Sequence, residues 1–236
     1  MNVLILAAGY GKRLGKLTIN KPKCLIEINK LTILDIWIKK IENIKINKTF
    51  INTHYLHKQV EEHLKNYNNF CIKQLYEKKL LGTSGTIFKN INFFKNDDLL
   101  VIHCDNYTNF DLNKLINAHK NRPDGCLMTM LTFDTNKPKE SGIVQKNSRN
   151  ILTNYFEKED LDVGTEANAA IYVISKKIFN NLNNREICKS YNFAEEVIPK
   201  LIGKIYIYKT EEFFIDIGDE KSLKIARKMD LQERIN

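Results

Sequence analysis

Over roughly the first 120 residues, short apolar runs alternate with stretches of helical spacing. No other feature constrains the fold as strongly, because a run of four to six β-formers and an amphipathic helix bury their apolar faces only against each other. Val3–Leu6 is an apolar run that ends at a glycine loop. Ile33, Leu34, Trp37, Ile38, Ile41 and Ile44 then recur at helical spacing. "KTFINTHY" reads as a strand, "LHKQVEEHLKNY" as a helix and "FCIKQLYE" as a strand. "LLGTSGTIFKNINFF" reads as a loop entering a helix, "DLLVIHCDN" as a strand ending in polar residues, and "FDLNKLINAHKN" as a helix. Strands joined through helices pair in parallel, with helices on both faces of the sheet.

After Arg122 the links shorten. "CLMTMLTF", "SGIVQ", "ILTNYFEK" and "AAIYVI" read as strands, followed by a helix "FAEEVIPKLI", strands "KIYIYK" and "FFIDIG", and a last helix over Lys221–Met229. The predicted class is α/β: a Rossmann-like, mostly parallel mixed sheet flanked by helices. With 236 residues and no Pro/Gly/Ser-rich linker, the chain reads as one domain with halves of about 1–122 and 123–236.

The net charge of +9 comes from lysines spread along the whole chain. A nucleic-acid surface would interleave basic residues with aromatics in a patch, so no nucleic-acid partner is expected. No apolar run approaches the ~18 residues of a membrane span, and the N-terminus lacks the basic segment and polar spacer of a signal peptide. The expected setting is cytoplasmic, without membrane association. Cys24, Cys71, Cys104, Cys126 and Cys188 are odd in number and without CxxC spacing, which predicts reduced thiols rather than a zinc site or disulfide frame.

Only the segment Leu6–Leu25 is locally one-sided in charge, and it carries three glycines. Gly9-Tyr-Gly11-Lys-Arg-Leu-Gly15 reads GxGxxxG, which misses the dinucleotide fingerprint by one residue, and no GK[ST] follows as a P-loop needs. A glycine turn whose N–H groups approach an anion remains, with Arg13 and Lys23 supplying full charges. Asp105 follows the apolar "LLVIHC", and Asp216 lies inside "FIDIG". Each could be an ordinary turn or cap residue; as a pair at strand ends beside a basic glycine loop they suit Mg²⁺ shared with phosphates. Lys158, next to Glu157, reads on spacing alone as a solvated strand end. His57 and His63 are expected on the solvated face of their helix.

Taken in order, LAAGYGKRL…KPKCL, LLGTSGT, HCDN, SGIVQ, FEK, ANAAIY and FIDIG resemble the sugar-1-phosphate nucleotidyltransferase family over Val3 to about Arg227. Among its members the chain looks most like bacterial mannose-, heptose- or glucosamine-1-phosphate guanylyltransferases. The resemblance implies the nucleotide-diphospho-sugar transferase type of fold, a nucleotide-binding first half and a sugar-phosphate-binding second half. It implies transfer of a nucleotidyl group from an NTP to a sugar 1-phosphate, with pyrophosphate released and Mg²⁺ as cofactor. GTP with a mannose-type hexose or heptose 1-phosphate, for surface polysaccharide precursors, is the first expectation. Uridylyl, thymidylyl or cytidylyl transfer is the alternative, and a non-catalytic sugar-nucleotide-binding subunit is a reading of another class.

By resemblance, Leu6, Ala8, Gly9, Gly11 and Lys12 wrap the nucleotide, Arg13 meets the leaving phosphates and Lys23 bridges phosphates near the reacting centre. Gly82 and Thr83 match the loop beside the base, and Asp105 and Asp216 the metal pair. Lys158 matches the lysine on the sugar phosphate, with Gly142, Glu157 and Asn168 as sugar contacts. Two positions depart from the pattern: Lys12 stands where Thr is usual, and His103 where many members carry a small residue. The chain is expected to lack the β-helix or regulatory domains of longer relatives. Oligomeric state, a homodimer included, stays open. A guanine reader would need acceptors, for which Glu77 or a backbone carbonyl near Leu81 is the candidate.

Overall fold

A computed structural model describes residues 1–67, 71–181 and 189–229. Its elements in chain order are β1 (Asn2–Leu6), β2 (Glu27–Ile28), β3 (Leu31–Thr32), α1 (Ile33–Glu42), β4 (Lys48–Thr53), α2 (His57–Leu64) and β5 (Ile72–Tyr76). Then follow α3 (Gly82–Lys89), α4 (Ile91–Phe94), β6 (Leu99–His103), β7 (Asn106–Thr108), α5 (Leu112–Lys120), β8 (Met128–Asp134), β9 (Gly142–Lys146) and β10 (Leu152–Glu157). β11 (Glu166–Ile174), α6 (Lys176–Asn181), β12 (Ile205–Lys209), β13 (Phe214–Asp216) and α7 (Glu220–Lys228) complete the series.

The chain forms two compact units that interleave along the sequence. One gathers Met1–Leu80, Ile102–Leu112 and the chain from Glu212 onward; the other gathers Leu81–Val101 and Asn113–Glu211. In the first unit β1 pairs in parallel with β4, from Asn2↔Lys48 to Leu6↔Asn52, and β4 pairs in parallel with β5. β13 and β7 form a separate antiparallel ladder, Phe214↔Thr108 to Asp216↔Asn106. In the second unit β8 pairs antiparallel with β11 and parallel with β12, while β9 pairs antiparallel with β10 and β11. The alternating first stretch thus gives parallel pairing, and the short-linked later strands give the antiparallel pairs that make the pairing mixed.

α1 shows how the sequence sets an element. Thr32 accepts from the Asp35 N–H and Asp35 accepts from the Thr32 N–H, both at 3.0 Å, a capping box that satisfies two N-terminal donors. Ile33, Leu34, Ile36, Trp37, Ile38 and Ile41 then bury one face. The stretch "FAEEVIPKLI" is not a single helix. A π-turn over Phe193–Val197 passes into a 3-10 turn over Ile198–Leu201, because Pro199 has no N–H to continue the ladder and its ring crowds the preceding turn.

His63 departs from the solvated-face expectation. Its Nε2 lies 2.6 Å from Asp35 Oδ1, and the Tyr67 hydroxyl donates to the same oxygen at 2.5 Å. His57 stacks on Tyr76 with centroids 4.1 Å apart. Cys24, Cys71, Cys104 and Cys126 are free thiols, and Cys188 lies outside the described residues. Among the described residues no helix is long and apolar enough to cross a membrane.

Candidate functional site

In the first unit the glycine loop leaves β1 and turns at once. Leu6, at the strand end, accepts from Cys104 N at 3.0 Å, and Ala7 N donates to Asn52 Oδ1 at 2.7 Å. Ala8 is buried, and a side chain at Gly9 would meet open space. Gly11 adopts φ 67°, ψ 27°, and a Cβ there would come within 2.9 Å of Thr18 Cγ2 and 3.0 Å of Lys23 Cβ. Only glycine meets both demands, left-handed backbone and close approach to Lys23. Lys12 directs its ammonium over the Tyr10 ring, 5.6 Å from the centroid.

Lys23 follows Pro22 in a short 3-10 turn, and its Nζ lies 2.6 Å from Asp105 Oδ2. Burial works against the Asp105 charge, but Lys23 and then His103 outweigh it and hold the carboxyl below its usual range. The Asp105 carbonyl accepts from Ile217 N at 2.9 Å, so the ladder of β7 and β13 sets the acid one residue from Asp216 in register. The Arg13 Nη2 reaches to 4.0 Å from Asp216 Oδ2. The guanidinium lies against Gly218, where a Cβ would come within 2.8 Å of Nη2.

Asp216 is pushed the other way. Its carboxyl is raised to about 6, first by desolvation and then by the Asp105 charge, against the pull of Lys23 and Arg13. About half of its side chain still meets solvent (51%). The like charge is therefore the cause that a bound cation would remove. The first unit so brings together Gly11, Arg13, Lys23, Asp105 and Asp216.

Donor chemistry fits a hard cation. Two adjacent carboxylates repel each other, and Mg²⁺ is commonly held by one or two carboxylates together with substrate phosphates. Among the described residues, no group of three or more His, Cys, Asp or Glu is arranged to hold a metal ion by itself.

Trp37 is a residue the sequence reading missed. Its buried indole N–H is shared between the carbonyls of Cys104 and Asn106, each at 3.0 Å, which clasps the turn carrying Asp105 from both sides. Its helical spacing assigned it to the core; nothing in that spacing announced the second role. Glu77, at the end of β5, is buried, and its Oε1 accepts from Asn52 Nδ2 at 3.0 Å.

The second unit holds the remaining candidates in two groups. At the start of α3, Gly82 has φ 74°, and a Cβ would overlap the Tyr191 carbonyl. Thr83 Oγ1 accepts from Phe193 N at 2.8 Å. These two residues thus dock the segment around Tyr191. In the other group Lys158 stands at φ 54°, its N–H donating to Ser141 O at 3.1 Å and its Nζ 3.1 Å from Glu157 Oε1. Tyr155 donates its hydroxyl hydrogen to Glu157 Oε2. Asn168 reaches both Tyr155 and Tyr172, at 3.2 and 2.8 Å. A Cβ on Gly142 would overlap the Tyr155 hydroxyl and the Glu157 carboxylate. Gly142, Glu157, Lys158 and Asn168 therefore form one cluster, with Tyr155 and Tyr172 added by the structure.

The family model described as nucleotidyl transferase matches residues 2–233. A relative from Sulfolobus acidocaldarius, provisionally named a mannose-1-phosphate guanyltransferase, is 25% identical over 92% of this chain and 60% of its own length. The D-glycero-alpha-D-manno-heptose 1-phosphate guanylyltransferase of Campylobacter jejuni is 28% identical over 92% of this chain and 95% of its own length. The chain thus spans about three fifths of the Sulfolobus relative and nearly all of the Campylobacter one. Among solved structures, a Bacillus anthracis protein provisionally named a glucose-1-phosphate thymidylyltransferase superposes with TM-score 0.86 at 20% identity, covering 97% of this chain and 94% of that one. HddC from Yersinia pseudotuberculosis, complexed with GMP-PN, superposes with TM-score 0.77 at 21% identity over 96% of this chain and 98% of its own. These likenesses bear out the predicted fold class, and with a family model that spans almost every residue, the chain belongs to the nucleotidyl transferase family.

Proposed function

We propose that this chain transfers a nucleotidyl group from an NTP to a sugar 1-phosphate and releases pyrophosphate. The observation that carries the reading is the four-charge group of the first unit: Asp216 raised beside a lowered, Lys23-paired Asp105, with Arg13 near Asp216 and a glycine loop packed on Lys23. Two acids and two cations balance formally, and a triphosphate with one divalent ion fits such a group better than either alone. Asp105 and Asp216 would hold Mg²⁺, which when bound supplies a divalent charge to the phosphate oxygens.

The chain's own residues do the rest. Lys23 and Arg13 neutralise charge on the triphosphate as the α–β bridge breaks, and Gly11 keeps the loop tight against Lys23. Lys158 binds the sugar phosphate, and Glu157 and Asn168 orient its sugar. The attacking phosphate oxygen is already a nucleophile near neutral pH, so no general base is required. Catalysis is positioning plus preorganised charge.

Guanine is the base we favour. Glu77 supplies a carboxylate for the N1–H and N2–H₂ donors, and Asn52, itself held by Ala7 N, fixes that carboxylate in place. The names of the Sulfolobus and Campylobacter relatives support the same base. Heptose or mannose-type hexose 1-phosphates are the favoured acceptors on the same support. The test is pyrophosphate release from a panel of four NTPs against several hexose and heptose 1-phosphates. GTP should win with one of these sugars. No release with any pair would leave a sugar-nucleotide-binding protein in place of an enzyme, and an unchanged base preference in Glu77→Ala would remove Glu77 as the reader.

A further inference from the structure

Resting on that reading, we propose that Tyr155 is a positioning residue for the sugar 1-phosphate, the middle member of a hydrogen-bond relay of fixed polarity that aims the Glu157 carboxylate. The polarity follows from one backbone donor. Ala170 N lies 2.8 Å from Asn168 Oδ1, and an N–H can only donate, so the Asn168 amide has one orientation. This contact sits where β11 loses its regular register against β8, between Asn168 and Tyr172, with Ala170 at φ 51°. The bulge is thus what turns a backbone N–H toward the side chain.

With Oδ1 taken, the Asn168 Nδ2 points its hydrogens at the Tyr155 and Tyr172 hydroxyls, at 3.2 and 2.8 Å. Both phenols accept there. Tyr155 then has its own hydrogen to give, and it gives it to Glu157 Oε2. The other carboxylate oxygen, Oε1, faces Lys158 Nζ at 3.1 Å. Burial first, and the neighbouring phenol and carboxylate next, push the Tyr155 hydroxyl well above the usual phenol range, so it stays a donor at any working pH. One carboxylate oxygen is therefore committed to protein, and only Oε1 is left for a sugar hydroxyl once Lys158 turns to phosphate.

Gly142 belongs to the same device. A Cβ on it would overlap both the Tyr155 hydroxyl and the Glu157 carboxylate, so the strand is bare there to seat their hydrogen bond. In this chain the glycine's free face is filled by protein atoms.

The experiment measures KM for the sugar 1-phosphate and for the NTP separately, by pyrophosphate release, in Tyr155→Phe, Asn168→Asp and the double variant. Tyr155→Phe keeps the ring and removes the donor; it should raise the sugar-phosphate KM about tenfold and leave the NTP KM within about twofold. Asn168→Asp keeps the acceptor for Ala170 N but turns the phenols into donors toward itself, so Tyr155 abandons Glu157; a similar rise is expected. The double variant should be no worse than Asn168→Asp alone, because both break the same link. A sugar-phosphate KM unchanged in Tyr155→Phe, both KM values rising together, or effects that multiply in the double variant would overturn the relay. Should the wild type release no pyrophosphate at all, the activity reading falls, and the relay is judged by NMR of the Asn168 side-chain NH₂. Slow solvent exchange in the wild type, quickened in Tyr155→Phe, upholds it; solvent-rate exchange in the wild type overturns it.

Discussion

The two units carry acids in opposite condition. In the first, Asp105 and Asp216 face like charge, and one carboxyl is raised to about 6. In the second, Glu157 has both oxygens occupied, by the Tyr155 hydroxyl and the Lys158 ammonium. An acid left in conflict by its own fold is set up for a cation from outside. An acid satisfied by its own fold keeps its shape. Under the proposed function, the first unit would supply charge to a polyphosphate and the second would supply geometry to an acceptor.

The largest effect is expected at Lys23. Lys23→Ala leaves Asp105 without its nearest cation and removes a preorganised charge from the triphosphate, so kcat should fall about 10²–10³-fold with the sugar-phosphate KM little changed. Steady-state pyrophosphate release reads this; a loss confined to KM would contradict it. Next comes Asp216→Asn, which removes the like-charge conflict and a metal oxygen together. Its metal-free form should melt at a higher temperature than the wild type while kcat falls about 10²-fold, and calorimetry beside the assay shows whether stability and activity move in opposite directions.

A smaller effect is set by pH. Asp216 has a folded pKa of about 6 against an ordinary 3.8, so in the metal-free protein its contribution to stability is present below about pH 4 and lost as pH rises through 6. Cation binding has the opposite sign, since the ion needs the ionised form. The Mg²⁺ concentration for half-maximal rate should rise up to about tenfold per unit as pH falls below 6, and Asp216→Asn should flatten that dependence. The smallest effect is expected at Trp37. Trp37→Phe keeps most of the buried surface but removes the indole N–H from the carbonyls of Cys104 and Asn106 that flank Asp105; a rise of a few fold in the Mg²⁺ requirement is the outcome, read by metal titration of the rate. As the single tryptophan of the chain, Trp37 should also change its emission when metal and nucleotide bind in the wild type.

Much of this was legible in the sequence because it lies in local pattern. Strand and helix alternation points to the parallel pairs of β1, β4 and β5, and the glycine run places Gly11 beside Lys23 by local pattern alone. What the sequence could not show rests on distant approach. β7 has three residues and exists by pairing with β13, more than a hundred positions away, so no periodicity announces it. His63 looked solvated from its helix spacing, yet Asp35 on another helix captures it. Tyr155 carries no signal at all: its role depends on a bulge in β11 that orients Asn168, and on a bare Gly142 across the ladder.

Everything proposed for the first unit requires Asp105 and Asp216 to share one cation with a triphosphate. Manganese titration followed by electron paramagnetic resonance, with a non-hydrolysable GTP analogue present, tests it most directly. One protein-dependent Mn²⁺ site should appear, weakened at least about tenfold in Asp105→Asn and in Asp216→Asn alike. Mn²⁺ binding that survives unchanged in either variant would contradict it.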